Sequence, residues 1–187
     1  APIEDPHHPK TAVQCGLDML KAVEIFNEKI TSEGRPPVGM GAGINTGLGY
    51  LGEMGSTARH SYDVLGDSVS TAARIESKCK EYGCVLLVGD ATYQPTKTDF
   101  FYLKIDDLAV KGKTVGVNIF TVFYMPDVTV AADWIMARDT HNEMLALYRS
   151  QKWDKAIKLC EELTGEFDGN MDHYYEKWIE RIADMRT

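Results

Sequence analysis

One short stretch of the sequence brings an aspartate, a serine and an arginine around a single tight turn. Asp63 lies in a short apolar run, and Ser70 and Arg74 follow in an Ala-rich segment after Gly66. If that segment is a helix beginning near Asp67, Ser70 and Arg74 share one face and lie close to the helix N-terminus, which favours anions. The forked donors of Arg74 suit phosphate oxygens, and a carboxylate can accept from an exocyclic amino group. The stretch therefore suits a ligand with a phosphate end and an amino-bearing ring end.

The same residue types also have an ordinary structural interpretation. Arg74 can be a solvated surface charge, Ser70 a cap residue and Asp63 a surface carboxylate. A second basic element, Lys111 and Lys113 in the sequence VKGKT, is either a solvated hairpin turn or a grip on a polyphosphate. Taken alone, the residues leave both interpretations open at both places.

A glycine pattern upstream of the turn matches the motif of a dinucleotide-binding loop. The sequence GLGYLG at residues 47–52 matches G-x-G-x-x-G, and Asp67 follows Gly47 by 20 residues. Such a loop opens a long helix within a βαβ unit, whereas the next residues, EMGSTARHS, include two further helix-breaking positions and are too few. We therefore do not assign a dinucleotide site here.

Composition excludes several classes of function. The net charge of -8 over 187 residues argues against broad nucleic-acid binding, which needs a basic surface. No apolar run approaches the roughly 18 residues of a membrane helix, and the first ten residues have no signal-peptide pattern. The four cysteines form no C-x-x-C pair and the five histidines have no zinc-ligand spacing, so we expect reduced thiols and no metal on these residues. A cytoplasmic location is expected.

Hydrophobic periodicity and the positions of glycine and proline predict mixed α and β structure up to about Met125. The predicted elements, in chain order, are a helix at Pro9–Glu33, a Gly-rich buried strand at 38–47, a Gly-rich connection at 47–56, a strand at Tyr62–Leu65, a helix N-capped by Asp67 and running to about Lys80, a strand and short helical turn at 84–94, and two strands at 101–110 and 115–124 joined by a turn at Lys111–Thr114.

From about Ala131 to Arg186 every segment favours helix. The segment NEMLALYRSQKWDKAIKLCEEL predicts two helices with a break near Gln151. It resembles one tetratricopeptide-type hairpin, with Trp153 and Ala156 at packing positions. One helix pair cannot form a solenoid, which needs about three repeats. The alternative is a helical tail packed on its own domain or on a partner protein.

Three motifs together resemble the class III nucleotidyl cyclases. They are GMGAGINTGLGYLGEMGS, YDVLGDSVSTAARIESKCKEYG and LAVKGKTVGVNIFTV, and the resemblance covers roughly Ile3 to Tyr124. Members of this family make cyclic AMP or cyclic GMP from the nucleoside triphosphate and release pyrophosphate. Their active sites form at the interface of two cyclase domains, usually in a homodimer, and each site joins a metal-binding face to a face that recognises the base and stabilises the transition state.

The resemblance implies roles on the second of these faces. Asp63 matches the position that accepts from the adenine amino group in adenylate cyclases, Arg74 matches the arginine that stabilises charge on the reacting phosphate, and Lys111 matches the lysine that grips the terminal phosphates. Ser70 stands where the family usually has an asparagine that orients the ribose. A serine hydroxyl can still hydrogen-bond there, but it is shorter and needs a shift or a water.

The family's metal-binding face has no counterpart in this sequence. Members begin with a βααββ stretch that carries two aspartates for two Mg²⁺ or Mn²⁺ ions, and nothing here matches it. The ligands of the complete enzyme's metals are therefore not expected in this chain, and these 187 residues alone are expected to be inactive. The strand at 38–46 is expected to lack a neighbour and to expose an edge, which a dimer or a swapped element would cover.

These observations predict an α+β protein. Residues 1–126 are expected to form a partial ferredoxin-like cyclase domain with an antiparallel-rich sheet, and residues 127–187 an all-helical C-terminal extension. The preferred function is part of an adenylate cyclase that takes ATP in intracellular signalling and works as a homodimer. The alternatives are an inactive nucleotide-binding or interaction module, a guanylate cyclase, and a structural protein that binds partners through its helices.

Overall fold

The computed structural model describes residues 4–56, 59–108, 116–125 and 127–186. Helices and strands are interspersed up to the last strand, and only helices follow it in the described residues. In chain order the elements are α1 His8–Ser32, β1 Ala42–Ile44, β2 Tyr50–Ser56, β3 Arg59–Leu65, α2 Asp67–Ser77, α3 Cys79–Tyr82, β4 Leu86–Gly89, α4 Asp90–Thr96, β5 Phe101–Leu108, β6 Val117–Phe123, α5 Val128–Arg149, α6 Trp153–Leu163, a 3-10 turn at Phe167–Gly169, and α7 Asp172–Met185.

Four strands form the main sheet, in the order β1-β4-β6-β5. β1 pairs with β4 in parallel, and β4–β6 and β6–β5 are antiparallel, so the expected antiparallel-rich sheet is confirmed. Strands β2 and β3 form a separate two-stranded antiparallel hairpin. Within the described ranges, β1 pairs on one side only, so its other edge is open, as expected for the strand at 38–46.

The main sheet is apolar on both faces because neighbouring side chains in its strands point in opposite directions. Leu86 and Val88 of β4 pack on one face with Val13 and Leu17 of α1. Leu87, between them in the sequence, packs on the other face with α2, α3 and the C-terminal helices. Helices therefore cover both sides of the sheet, and β4 is buried throughout.

Several sequence predictions are confirmed at this level. The first helix, the strand and helical turn after Cys84, the two long strands and the helical character beyond residue 127 all form as expected. The chain between α5 and α6 breaks at Ser150–Lys152, where Gln151 has a φ of 58°. The relation to tetratricopeptide repeats and the division of the chain at residue 126 stay predictions.

Two predictions around the turn are wrong. The Gly-rich connection at 47–56 contains a strand, β2, because glycines there do not prevent pairing with β3. The N-cap of α2 is Gly66 rather than Asp67, which is the first helical residue. Glycine is required at this cap because a Cβ would lie 2.7 Å from the Leu48 carbonyl oxygen. The Ser68 hydroxyl donates to the same carbonyl and so links the first turn of α2 to the residues just before β2.

Helix α2 lies in backbone contact with β1 at Gly43. A Cβ at that position would sit 2.5 Å from the Ala72 carbonyl oxygen and 2.9 Å from Glu76 Cα. The glycine in this strand therefore allows the backbone of α2 to approach closely. Ile75, fully buried on the inner face of α2, completes the contact with the sheet.

The C-terminal helices share one core with the sheet. Met144 of α5, Cys160 of α6 and Trp178 of α7 belong to the same buried cluster as Leu103 of β5. His141 of α5 is fully buried beside this cluster. Its Nε2 lies 2.6 Å from the Lys104 carbonyl oxygen, and its Nδ1 lies 3.0 Å from the Tyr175 hydroxyl. Of the helices described, none has the length and apolar character needed to cross a membrane.

Replacing Gly43 by alanine should force α2 away from β1. We expect Gly43→Ala to lower the free energy of unfolding by about 2 kcal/mol or more, because the added Cβ meets backbone that cannot rotate away. Gly39→Ala is the matched control, since a Cβ there has no atom within 4 Å. Urea denaturation of both variants checks this, and a Gly43→Ala protein as stable as the control would show that the close approach is wrong.

Burial lowers the pKa of His141 to about 4, below its ordinary value of 6.5, so the folded protein should lose stability as the pH falls from about 6.5 to 4. In this window the unfolded chain binds a proton that the folded chain does not, and the loss amounts to about 3 kcal/mol at pH 4. His141→Gln should flatten that part of the curve, whereas the exposed His173→Gln should not. Urea denaturation at several pH values measures this, and equal slopes for all three proteins would contradict it.

Candidate active site

The turn between β3 and α2 positions three of the four predicted site residues. β3 ends at Leu65 and α2 begins at Asp67, so Gly66 alone separates the strand from the helix. Asp63 lies on the strand side of this turn, and Ser70 and Arg74 lie on the helix side. The predicted strand-to-helix turn is therefore present, and it consists of a single connecting residue.

Asp63 lies at an exposed and uncrowded position of the β2–β3 hairpin. Its cross-strand neighbour is Gly52, whose Cβ position has no atom within 4 Å. Its carboxylate accepts a 2.7 Å hydrogen bond from the next backbone amide, that of Val64. The carboxylate therefore has remaining acceptor capacity and open space beside it, which a ring amino group would need.

Ser70 and Arg74 occupy the outer face of α2, one turn apart. Thr71 and Ile75, each one residue further along, are buried against the sheet and so orient this outer face toward solvent. Within the described ranges, neither the Ser70 hydroxyl nor the Arg74 guanidinium has a hydrogen bond or ion pair. Their predicted proximity on one helix face is confirmed.

The free guanidinium distinguishes Arg74 from other arginines of the described chain. Four arginines form ion pairs with carboxylates: Arg35, Arg149, Arg181 and Arg186. The guanidinium of Arg138 lies over the Phe101 ring, 5.4 Å from its centroid. Arg74 has no such partner among the described residues, and it lies in the last turn of α2 rather than close to the helix N-terminus as the sequence predicted. An anionic ligand would supply the missing counter-charge.

Lys111 lies outside the described residues, which stop at Leu108 and resume at Gly116. The antiparallel strands on either side pair as far as Leu108 and Val117, and the predicted turn at Lys111–Thr114 stays a prediction. The role of Lys111 therefore stays a prediction, and its relation to Arg74 is not part of the observed geometry.

A cavity that the sequence reasoning missed borders the first turn of α2. Its volume is about 730 Å³. The walls come from the ends of β1 and β4, the first turn of α2 and the start of β6, and its polar lining includes Asn45, Thr46, Asp67, Asp90 and Asn118. Of the predicted site residues that the structure describes, Asp63, Ser70 and Arg74 do not line it. The signal for it was available, since polar residues directly follow two parallel strands whose carboxyl ends meet at one edge.

Asn45 and Thr46 connect this cavity to the neighbouring helices. The Asn45 side-chain amide lies 3.3 Å from the Ser68 carbonyl oxygen of α2, and the Thr46 hydroxyl lies 2.8 Å from that of Thr92 in α4. These bonds fix the end of β1 against the first turns of both helices. We therefore interpret the two residues as supports for the α2 N-terminus.

The cysteines and the acidic residues do not suggest a different chemistry. All four cysteines are unpaired, and burial raises the pKa of the Cys79, Cys84 and Cys160 thiols, so these three are poor thiolate nucleophiles. Among the residues described, no three His, Cys, Asp or Glu side chains are grouped so that they could hold a metal ion.

Residues 2–125 match the family described as the adenylate and guanylate cyclase catalytic domain, and the chain belongs to this family. This match includes the turn, the outer face of α2 and the β5–β6 hairpin. The resemblance that the three sequence motifs indicated is confirmed.

Individual relatives agree with the family and are named as adenylate cyclases. The chain is 30% identical over 122 residues to Adenylate cyclase 1 of Rhizobium meliloti and 30% identical over 125 residues to an adenylate cyclase of Anabaena cylindrica. These alignments cover 65% and 63% of this chain but only 18% and 25% of the relatives, so the similarity spans a minor part of each relative.

Solved structures show the same fold. The adenylyl cyclase CyaB of P. aeruginosa is similar with a TM-score of 0.53 and 28% identity, covering 60% of this chain and 57% of that one. The guanylyl cyclase Cya2 is similar with a TM-score of 0.57 and 28% identity, covering 68% and 64%. The neighbours thus include both adenylyl and guanylyl cyclases, and the choice of base is not decided by similarity.

Proposed function

We propose that this chain is the part of an adenylate cyclase that recognises the base of ATP and stabilises the reacting phosphates. The unpaired guanidinium of Arg74, on an exposed helix face one turn after Ser70, is the observation that carries the proposal. A permanent charge kept free of carboxylates is the arrangement that binding of a phosphate requires. The parent reaction converts ATP to cyclic AMP and pyrophosphate in intracellular signalling.

Each site residue has one task in this reaction. The ribose 3′-oxygen attacks the α-phosphate, a new P–O bond forms, and pyrophosphate leaves with the electrons of the broken P–O bond. Arg74 stabilises the charge that develops on the α-phosphate, Lys111 holds the terminal phosphates, and Ser70 orients the ribose. In a complete enzyme, two Mg²⁺ or Mn²⁺ ions would supply activation of the nucleophile and neutralisation of the phosphates, and the residues that would hold them are not expected in this chain.

Asp63 favours adenine over guanine in this proposal. An ionised carboxylate only accepts hydrogen bonds, so it suits the adenine amino group and is repelled by the guanine 6-oxygen. The space next to Asp63, opposite Gly52, leaves room for the edge of a purine. A guanylate cyclase is the alternative that Asp63 disfavours.

A homodimer would place the free face of α2 against a second metal-binding face. The β2–β3 hairpin and the approach to it expose four large side chains, Leu48 (76%), Tyr50 (68%), Tyr62 (63%) and Leu65 (57%). Tyr50 and Leu65 are directly opposite each other across the hairpin, and an exposed apolar pair of this kind is typical of an interaction surface. A second copy covering it would exclude water from the neighbourhood of Asp63 and Arg74, which strengthens their electrostatic interactions.

Ser70 supports one further alternative, a nucleotide-binding module that has lost catalysis. The serine hydroxyl is shorter than the asparagine amide usual at this position and reaches less far toward a ribose. Catalysis by a complete enzyme containing Ser70 therefore separates the two possibilities. The 187 residues alone are expected to make no cyclic AMP above a protein-free control with ATP and manganese.

The proposal predicts different kinetic defects for Arg74 and Lys111 in a complete protein that joins these residues to a class III metal-binding segment. Arg74→Ala should lower kcat on the order of 10²-fold or more with little change in KM, because its charge acts mainly in the transition state. Lys111→Ala should raise KM and weaken inhibition by pyrophosphate. The exposed Lys80→Ala should stay within about twofold of wild type.

Steady-state kinetics with ATP decide this, with thermal unfolding as the check on folding. Arg74 is exposed and unpaired, so its replacement should leave the melting temperature unchanged. If Arg74→Ala raises KM alone, the role assigned to it is wrong. If Arg74→Ala and Lys111→Ala both behave like Lys80→Ala, the proposed site is wrong.

A separate prediction concerns base selection. Asp63→Ala should reduce the ratio of kcat/KM for ATP to that for GTP, because the variant loses both the attraction for the amino group and the repulsion of the guanine oxygen. Pyrophosphate inhibition should change little. Glu53→Ala, which removes an exposed carboxylate from the same hairpin, is the control. An ATP-to-GTP ratio that Asp63→Ala leaves intact would refute the assignment.

A further inference from the structure

A groove of about 810 Å³ lies where the sheet meets the C-terminal helices, and we call it the seam groove. It opens at the start of β4 and the end of β6, whereas the cavity beside α2 lies at the opposite ends of the same two strands. Its volume is that of a site for a small organic molecule. The seam groove is lined by residues from 17–27, 38–40, 83–86, 121–125 and 168–171, with Asp127 and Trp134.

The deeper part of the seam groove is apolar. Five of its lining side chains are at most 8% exposed: Leu17, Leu86, Val122, Trp134 and Met171. They belong in turn to α1, β4, β6, α5 and the residue before α7. The sheet with its first helix and the C-terminal helices therefore build this floor together, and a ligand on it would contact both.

The rim of the seam groove carries exposed apolar side chains. Val38, Val85, Tyr124 and Met125 line it, and each is at least 42% exposed. They come from three separate segments of the chain. A single exposed apolar side chain is ordinary, but several that converge on one concave site are typical of a ligand-binding groove.

Hydrogen bonds to α1 fix the rim on two sides. The Asn27 side-chain amide donates to the Val38 carbonyl oxygen at 2.9 Å, and its oxygen accepts from the Val38 backbone amide at 2.8 Å. The Tyr124 hydroxyl donates to the Asp18 carboxylate and accepts from the Gln14 side chain at 3.1 Å. The groove is therefore formed before any ligand enters, which lowers the cost of binding.

The charges around the seam groove favour a cation. Glu24, Asp127 and Asp168 place three carboxylates on its lining, against the one ammonium group of Lys21 among the residues described. An excess of one sign of charge in a concave site attracts ligands of the opposite sign. The aromatic ring of Trp134 adds to this preference, because ring faces attract cations.

The 3-10 turn before α7 places Asp168 at the groove. Phe167, Asp168 and Gly169 are three successive residues in the left-handed region, with φ of 52°, 57° and 74°. Phe167 is buried in the core, whereas Asp168 is exposed. The Asn170 side-chain amide donates to the Phe167 carbonyl oxygen at 2.8 Å and closes the turn. The Asp168 carboxylate is thus held by a turn that is anchored in the core.

We propose that the seam groove binds a small molecule with an aromatic or aliphatic body and one protonated amine, with the amine near Asp168. The body covers the apolar floor, and the amine meets the excess of carboxylates. Such a ligand bridges the sheet and the C-terminal helices, so its binding stabilises their association. The proposal does not rest on the proposed nucleotide site, because Asp63, Ser70 and Arg74 do not line this groove.

Equilibrium dialysis of the 187-residue chain tests the site with three probes that share one ring system. At neutral pH, naphthylmethylamine is a cation, naphthylmethanol is neutral and naphthoate is an anion. The amine should bind with a Kd on the order of 1 mM, the scale for about a dozen non-hydrogen atoms. It should bind about fivefold more tightly than the alcohol, and naphthoate should bind most weakly. No saturable binding of the amine up to about ten times that concentration would overturn the proposal, and so would equal or tighter binding of either other probe.

A charge-removing substitution tests the assignment of the amine. Asp168→Asn keeps the shape of the side chain, and asparagine tolerates left-handed backbone, so the turn should persist. The variant should bind the amine about threefold more weakly and the alcohol unchanged. Asp139→Asn is the matched control, since it removes an exposed carboxylate of α5 that does not line the groove. Equal losses for the amine and the alcohol, or no loss for either, would contradict the assignment.

A blocking substitution and the tryptophan signals test the location. Val85→Trp puts a large side chain into the groove and should lower the affinity for the amine and the alcohol at least about tenfold. Ile25→Trp, at a similarly exposed position of α1 outside the groove, is the control, and thermal unfolding checks that both variants fold.

In NMR spectra of the unsubstituted chain, the amine should shift the indole N–H signal of Trp134, identified by its loss in Trp134→Phe. The signals of Trp153 and Trp178, which do not line the groove, should stay in place. Undiminished binding to Val85→Trp, or a shift confined to Trp153 or Trp178, would show that the probe binds elsewhere and would overturn the proposal.

Discussion

The backbone contact between α2 and β1 at Gly43 is the constraint on which the candidate site depends. Helix α2 can present Ser70 and Arg74 outward only because its inner face is fixed, and the contact at Gly43 and the burial of Ile75 fix it. The hydrogen bond from Asn45 to the Ser68 carbonyl oxygen adds a third attachment at the N-terminal end. Rigid support from a strand and a packed helix is what a charge-stabilising group needs, since its geometry must exist before the reaction starts.

The elements that could be predicted from the sequence are those with strong periodicity or a specific motif. The apolar repeat of α1 and the two strand segments that form β5 and β6 depend on local rules, and both predictions are confirmed. Asp63, Ser70 and Arg74 were found because their types and spacing repeat a family pattern. Local residue types therefore indicated both the framework and the chemistry of the turn.

The features that could not be predicted depend on contacts between distant segments. The glycines at 47–56 indicated a loop, yet β2 forms there because β3 pairs with it, and pairing is not visible in either strand alone. Asp67 has the side chain of a good cap, but Gly66 takes that position because the Leu48 carbonyl leaves no room for a Cβ. The attachment of the C-terminal helices to β5 joins residues 37 to 75 positions apart, which no local pattern encodes.

The shared core of sheet and C-terminal helices has a consequence for how this protein can evolve. The family match ends near the last strand, so the end of that strand looks like a natural place for a gene fusion to begin. In this chain, a recombination breakpoint there would strip Phe101, Leu103 and Ile105 of the helices that cover them. The helices beyond the last strand must therefore be inherited together with the sheet. Substitutions in these helices should be correlated with substitutions in β5, and the helices should not be exchangeable as an independent domain.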